Sequence, residues 1–135
     1  MELNWLSRWQ AELRAILRIV VALLFLEHAL IKLAGFPPGG MPGAQEPGTL
    51  LWIGGIIELV TSLLVLAGLF TRIAAFVAAG EMAVAYFMVH APQGFYPAVN
   101  MGEGAILFCF VFLYIAAAGP GAWSIDGTRG RRPLR

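Results

Sequence analysis

The stretch Phe25-Leu26-Glu27-His28-Ala29-Leu30-Ile31-Lys32-Leu33-Ala34-Gly35-Phe36 sets a carboxylate, an imidazole and an ammonium into an otherwise apolar helical run. Glu58, Glu81 and Glu103 each interrupt a later apolar run in the same way. Groups of this kind are expensive in hydrocarbon, so they face a bundle interior or a watery cavity and mark a candidate site. Four carboxylates, Lys32 and His28 cannot all carry charge in one low-dielectric layer. The expectation is a shared-proton network in which Lys32 pairs with one glutamate and at least one other glutamate holds a proton near neutral pH. Such a network accepts and releases protons, as a redox or transport site must. The plainer alternative is that the glutamates hydrogen-bond to neighbouring helices and serve as packing glue.

A metal cage is the rival chemistry. Carboxylate bundles that bind two metal ions carry a Glu-x-x-His pair on each of two helices. Here His28 directly follows Glu27, about 100° away around the helix, and no histidine lies three residues after Glu58, Glu81 or Glu103. A bound metal is therefore not expected. Cys109 is the only cysteine, which excludes an internal disulfide and a Cys-x-x-Cys redox pair, and it reads as a small buried residue. Tyr86, Phe87 and Met88 can line an apolar pocket or simply pack, while Trp52, Phe95 and Tyr96 fit an aromatic belt at a membrane interface.

The elements that must position these groups follow from the apolar runs. Residues 1–13 place Trp5, Leu6, Trp9 and Leu13 at helical spacing and read as an interfacial amphipathic segment. Spanning helices are expected at about 14–34, 49–70, 73–89 and 98–118, with 119–135 as a basic tail. The run Gly35-Phe36-Pro37-Pro38-Gly39-Gly40 begins a loop that extends to Gly48. Ala75, Ala79 and Ala83 give the third helix a small-residue face for close contact. Early charges, from Glu2 to Arg18, argue against a cleavable signal peptide.

Of 135 residues, 59% are hydrophobic and 13% charged, with a mean hydropathy of +0.77. This composition points to an integral membrane protein whose partner is the lipid bilayer. A net charge of +1 gives no reason to expect nucleic-acid binding. Arg8, Arg14 and Arg18 precede the first helix, Arg72 separates the second from the third, and Arg129, Arg131, Arg132 and Arg135 follow the fourth. All three groups fall on one side of an all-α, four-helix bundle running up-down-up-down, with both termini cytoplasmic. Counted at about 1.5 Å per residue from the opposite ends, Glu103 lies about 8 Å deep, Glu27 about 10 Å, and Glu58 and Glu81 about 13 Å. The four glutamates are thus expected in one layer with His28 and Lys32, and His90 at its mouth.

The chain resembles the DoxX family of small four-helix membrane proteins. The resemblance rests on Arg18, Phe25-Leu26, His28 and Lys32-Leu33-Ala34-Gly35-Phe36, then Gly55-Ile56-Ile57-Glu58 and Gly68-Leu69-Phe70-Thr71-Arg72-Ile73-Ala74-Ala75. It continues through Met82, Ala85 and Gly102-Glu103 to Gly119-Pro120-Gly121-Ala122-Trp123-Ser124-Ile125-Asp126. Ala29 departs from a common glycine, and Glu27 stands where an apolar residue is usual. The resemblance implies a multi-pass protein of the bacterial inner membrane. It also implies a role like that of the small membrane subunit of a thiosulfate:quinone oxidoreductase, or a part in oxidative-stress or thiol-related complexes. His28, Lys32, Glu58 and Glu103 are the positions it favours for a quinone or other small ligand. With no haem or dinucleotide motif of its own, such a protein depends on quinone and on a protein partner that supplies electrons. Glu58 and Glu81 are the expected proton sources. Two other classes stay open: a non-catalytic membrane anchor or assembly subunit, and a small proton or solute transporter, which would need a homo-oligomer.

Overall fold

The computed structural model describes residues 3–130. Among these residues all the regular secondary structure is helical, with no strand. The helices are α1 (Asn4–Ser7), α2 (Gln10–Ala34), α3 (Leu50–Ala67), α4 (Thr71–Ala85), α5 (Pro97–Asn100), α6 (Glu103–Ala118) and α7 (Ile125–Arg129). A π-helical turn at Tyr86–His90 and a 3-10 turn at Ala91–Gln93 prolong α4. By length and composition, the segments Leu50–Ala67 and Thr71–Gln93 can each cross a membrane. α2 is longer but interrupted by charge, and α6 is apolar but spans only about 24 Å at about 1.5 Å per residue.

α2 packs along α3 and α4 along α6, while α3 and α4 join the two pairs and α2 meets α6 only sparingly. Phe25 from α2 fills the centre between Phe108 and Phe112 of α6, with ring centroids 5.4 and 4.8 Å away. Ala74, Ala75, Ala78 and Ala79 of α4 are buried against this core, which lets the helix backbones approach closely. Ala83 is only half-buried.

At the end where the chain termini lie, arginines tie the helices together through backbone oxygens. Arg18, fully buried, donates from Nη1 to the carbonyls of Val65 (3.2 Å) and Leu66 (3.4 Å), and from Nη2 to those of Ala122 (3.3 Å) and Trp123 (2.8 Å). Arg14 donates to the carbonyl of Ala118 at 2.7 Å, and Arg72 to those of Ala116 and Ala117. The last carbonyls of a helix have no partner within it, so these guanidinium groups cap α3 and α6 from outside. Gly68 ends α3 at φ +69°, and a Cβ there would lie 2.2 Å from Nη1 of Arg18. Only glycine combines that left-handed turn with that approach.

Several expected boundaries move. Residues 10–13 continue α2 rather than forming part of a separate interfacial segment. Residues 119–129 are not a simple tail. Ala122 N–H donates to the Ala11 carbonyl (3.0 Å) and Asp126 N–H to that of Gly68 (2.9 Å), while the Asp126 carboxylate accepts from Phe70 N–H (3.0 Å), Thr71 N–H (2.9 Å) and the Thr71 hydroxyl (2.8 Å). α4 is therefore N-capped by a residue from the far end of the chain. Arg131, Arg132 and Arg135 lie outside the described residues, as does Glu2.

Candidate functional site

Two adjacent glycines of α3 create the room for the polar cluster. At Gly55 a Cβ would stand 3.1 Å from the Cβ of Lys32 and from Leu33, so α2 lies directly against α3 there. At Gly54 a Cβ would stand 3.1 Å from Oε1 of Glu81, so the α4 carboxylate occupies the space a side chain would fill. One turn further along α3 comes Glu58, which points between the directions of the two glycines, toward both α2 and α4. Thr61 satisfies its own hydroxyl on the Ile57 carbonyl at 2.7 Å and does not compete for the site.

Lys32 Nζ donates to Glu58 Oε1 at 2.5 Å, joining α2 to α3. Glu58 is 1% exposed and Lys32 12%. Glu81 lies close enough for the charges of both Glu58 and Lys32 to act on it. The second carboxylate oxygens, Oε2 of Glu58 and Oε2 of Glu81, are buried and accept no hydrogen bond. Buried acceptors are normally satisfied, so these two oxygens stand open to a donor. Lys32 has two further N–H bonds beyond the one given to Glu58.

Of the four glutamates expected in one layer, Glu58 and Glu81 come together at Lys32, whereas Glu27 and Glu103 are exposed on the outside of the chain. Five residues of helix put Glu27 about 140° around α2 from Lys32. Glu103 is not deep in a helix that begins at 98, because the chain breaks between α5 and α6. Asn100, 1% exposed, makes the break: its Oδ1 accepts from Gly102 N–H (2.8 Å), its Nδ2 donates to the Gly94 carbonyl (2.8 Å), and Met101 turns to φ +63°. Glu103 thereby becomes the first residue of α6, where a carboxylate complements the helix dipole.

His28 is exposed, packs edge-on against Phe108 with centroids 5.5 Å apart, and stands within reach of the Lys32 and Glu27 charges. It borders the cluster without bonding to it. His90 sits apart with Tyr86 and Asn100. Its Nδ1 is 3.0 Å from the Asn100 carbonyl, which can only accept, so Nδ1 carries the proton. Tyr86 is half-buried, Phe87 and Met88 face outward, and Cys109 packs beside the core. Among the described residues no group of three or more His, Cys, Asp or Glu side chains is placed to hold a metal ion. Asn100, Gly54 and the capping role of Asp126 had no signal in residue spacing, since each acts on backbone or on another helix.

The DoxX family model matches residues 13–91, a span that contains Lys32, Glu58 and Glu81 but not Glu103. An uncharacterized protein of Haemophilus influenzae is 42% identical over 130 residues, covering 92% of this chain and 96% of that protein. No solved structure matches the chain. On the strength of both similarities, the chain belongs to the DoxX family.

Proposed function

We propose that the protein is a multi-pass protein of the bacterial inner membrane, a four-helix bundle running up-down-up-down with both termini cytoplasmic. In this reading it is a redox component that binds a quinone at the Lys32, Glu58 and Glu81 cluster and works with a partner that supplies the electrons. Topology is supported by charge. Arg14, Arg18, Arg72 and Arg129 lie at one end, while residues 35–49 and 86–102 at the other contain no lysine or arginine.

The observation that carries the site is the buried Lys32–Glu58 pair with two orphaned carboxylate oxygens beside it. Its polarity suits both redox states of a quinone: spare N–H groups of Lys32, with the His28 ring nearby, fit carbonyl oxygens, and Oε2 of Glu58 and Glu81 fit hydroxyl donors. When bound, a quinone would supply two-electron, two-proton chemistry, with the electrons coming from the partner. Lys32 orients it and balances one carboxylate, while the two glutamates outnumber the single ammonium and so can hold a proton between them.

The test is mass spectrometry of an organic extract from protein purified in mild detergent, beside a folded Lys32→Met, Glu58→Gln double variant. About one quinone per chain in the native protein, lost in the variant, is the expected result. Equal retention by both overturns the site, and no quinone in the native protein replaces this reading with a membrane anchor or assembly subunit.

A further inference from the structure

The α2 and α6 backbones approach each other closely at few points, so side chains such as Phe25 and Phe108 bridge them, and two hollows run along the outside of the seam and meet at Leu17. The first, of about 220 Å³, is bounded by Gln10, Arg14 and Tyr114. The second, of about 350 Å³, continues past Leu24 on α2 and Gly104 and Phe108 on α6, and is lined by apolar side chains and Gly104. The seam is thus polar at one end and greasy along the rest.

Arg14 is the charge at the polar end. One Nη is committed to the Ala118 carbonyl at 2.7 Å, but its Nε is buried without an acceptor. From Gln10 to Leu24 the seam runs about 21 Å at about 1.5 Å per residue. One leaflet of a bilayer with its headgroups is also roughly 20–22 Å thick. Cationic groups at the cytoplasmic surface attract anionic lipids.

We infer that the α2–α6 seam binds one anionic phospholipid of the cytoplasmic leaflet, with its phosphate at Arg14, Gln10 and Tyr114 and an acyl chain lying over Leu17, Leu24 and Phe108. The inference rests on the membrane orientation proposed above and is independent of the quinone. It assigns the hollows beside the bridging side chains a resident molecule.

The intact protein in mild detergent is incubated with dioleoyl phosphatidylglycerol and dioleoyl phosphatidylcholine at equal concentration, and adducts are counted by native mass spectrometry. The expected result is one phosphatidylglycerol per chain, preferred about fivefold over phosphatidylcholine, with the preference falling to about one in Arg14→Gln. Gly104 provides a second variant, because nothing lies within 4 Å of a Cβ built there. Gly104→Phe fills the seam from open space and should abolish retention of both lipids while melting like the native protein. A native protein that does not distinguish the lipids overturns the inference. So does a Gly104→Phe variant that retains as much lipid as the native protein, or one that displaces a quinone or splits a dimer instead. If Arg14→Gln fails to fold, the native protein and Gly104→Phe decide. Labelling a Ser7→Cys variant in sealed vesicles of known sidedness tests orientation separately: modification only from the external side overturns the leaflet assignment, whatever lipid is retained.

Discussion

Removing the ammonium of Lys32 alone should destabilise the protein far more than removing it together with the Glu58 carboxylate. At 2.5 Å and an effective dielectric of about 20, the two charges attract by about 7 kcal/mol before desolvation is counted. Taking both out of water offsets most of that, so the intact pair contributes little net stability. Deleting one partner is different, because the buried cluster of Lys32, Glu58 and Glu81 is left with its charges unbalanced at a cost of about 3–5 kcal/mol. For a chain of this length that corresponds to a fall in melting temperature of roughly 10 °C. Lys32→Met keeps the stem that lies against Gly55, and Glu58→Gln keeps the shape of the carboxylate, so neither opens a large cavity. The assay is thermal unfolding in one detergent of the native protein, both single variants and the double variant. The double variant should melt within about 3 °C of the native protein, giving a coupling energy of at least about 2 kcal/mol. Single-variant losses that simply add in the double would refute the reasoning, since they would mean the two groups are stabilised by their surroundings and not by each other.

Two further outcomes test the terminal end. Gly68→Ala would drive a Cβ to 2.2 Å from Arg18 Nη1 and 2.4 Å from the Ser124 Cβ at a positive φ, and should cost about 3 kcal/mol or more, read as loss of monodisperse protein or a fall in melting temperature. Asp126→Ala should cost about 1–2 kcal/mol at neutral pH by uncapping α4. Partial burial pushes the Asp126 carboxyl up, but the Thr71 and Phe70 donors and the Arg129 charge outweigh it and hold the group below the ordinary aspartate range. A depressed folded value means its stabilisation is complete above the ordinary value of about 3.9 and is lost as pH falls from there through the lower folded value. The gap between native and Asp126→Ala unfolding should therefore close under acid, and a gap constant from pH 7 to pH 3 would contradict the assignment.

Much of the helical layout was legible because apolar runs and Gly-Pro breaks are local signals. The α2 and α3 spans and the Gly35–Gly48 loop are of this kind, and the pairing of Lys32 with a glutamate followed from charge alone. Depth counting failed for Glu27 because it fixes height along an axis and ignores rotation. Glu27 and Lys32 share a height range but point about 140° apart. It failed for Glu103 because Asn100 interrupts the apolar run through side-chain bonds to backbone 2 and 6 residues away, which no hydropathy window registers. The arginines read as topology markers, and their targets were invisible, since a carbonyl acceptor belongs to every residue type. Asp126 was visible only as one residue of a family-like run, and its partner Thr71 lies 55 positions away.

The four acceptors of Arg18 also impose an order on biosynthesis. Two belong to Val65 and Leu66, but the others belong to Ala122 and Trp123, more than 100 positions after the arginine itself. While the ribosome is still making α4, Arg18 has half of its partners and the first hairpin has an unsealed base. Only when the Gly119–Asp126 segment emerges can it close over Arg18 and cap α4 in the same movement. The Gly119–Asp126 segment is therefore the latch, and a nascent chain halted before it would carry its hydrophobic helices without the clasp that holds them in register.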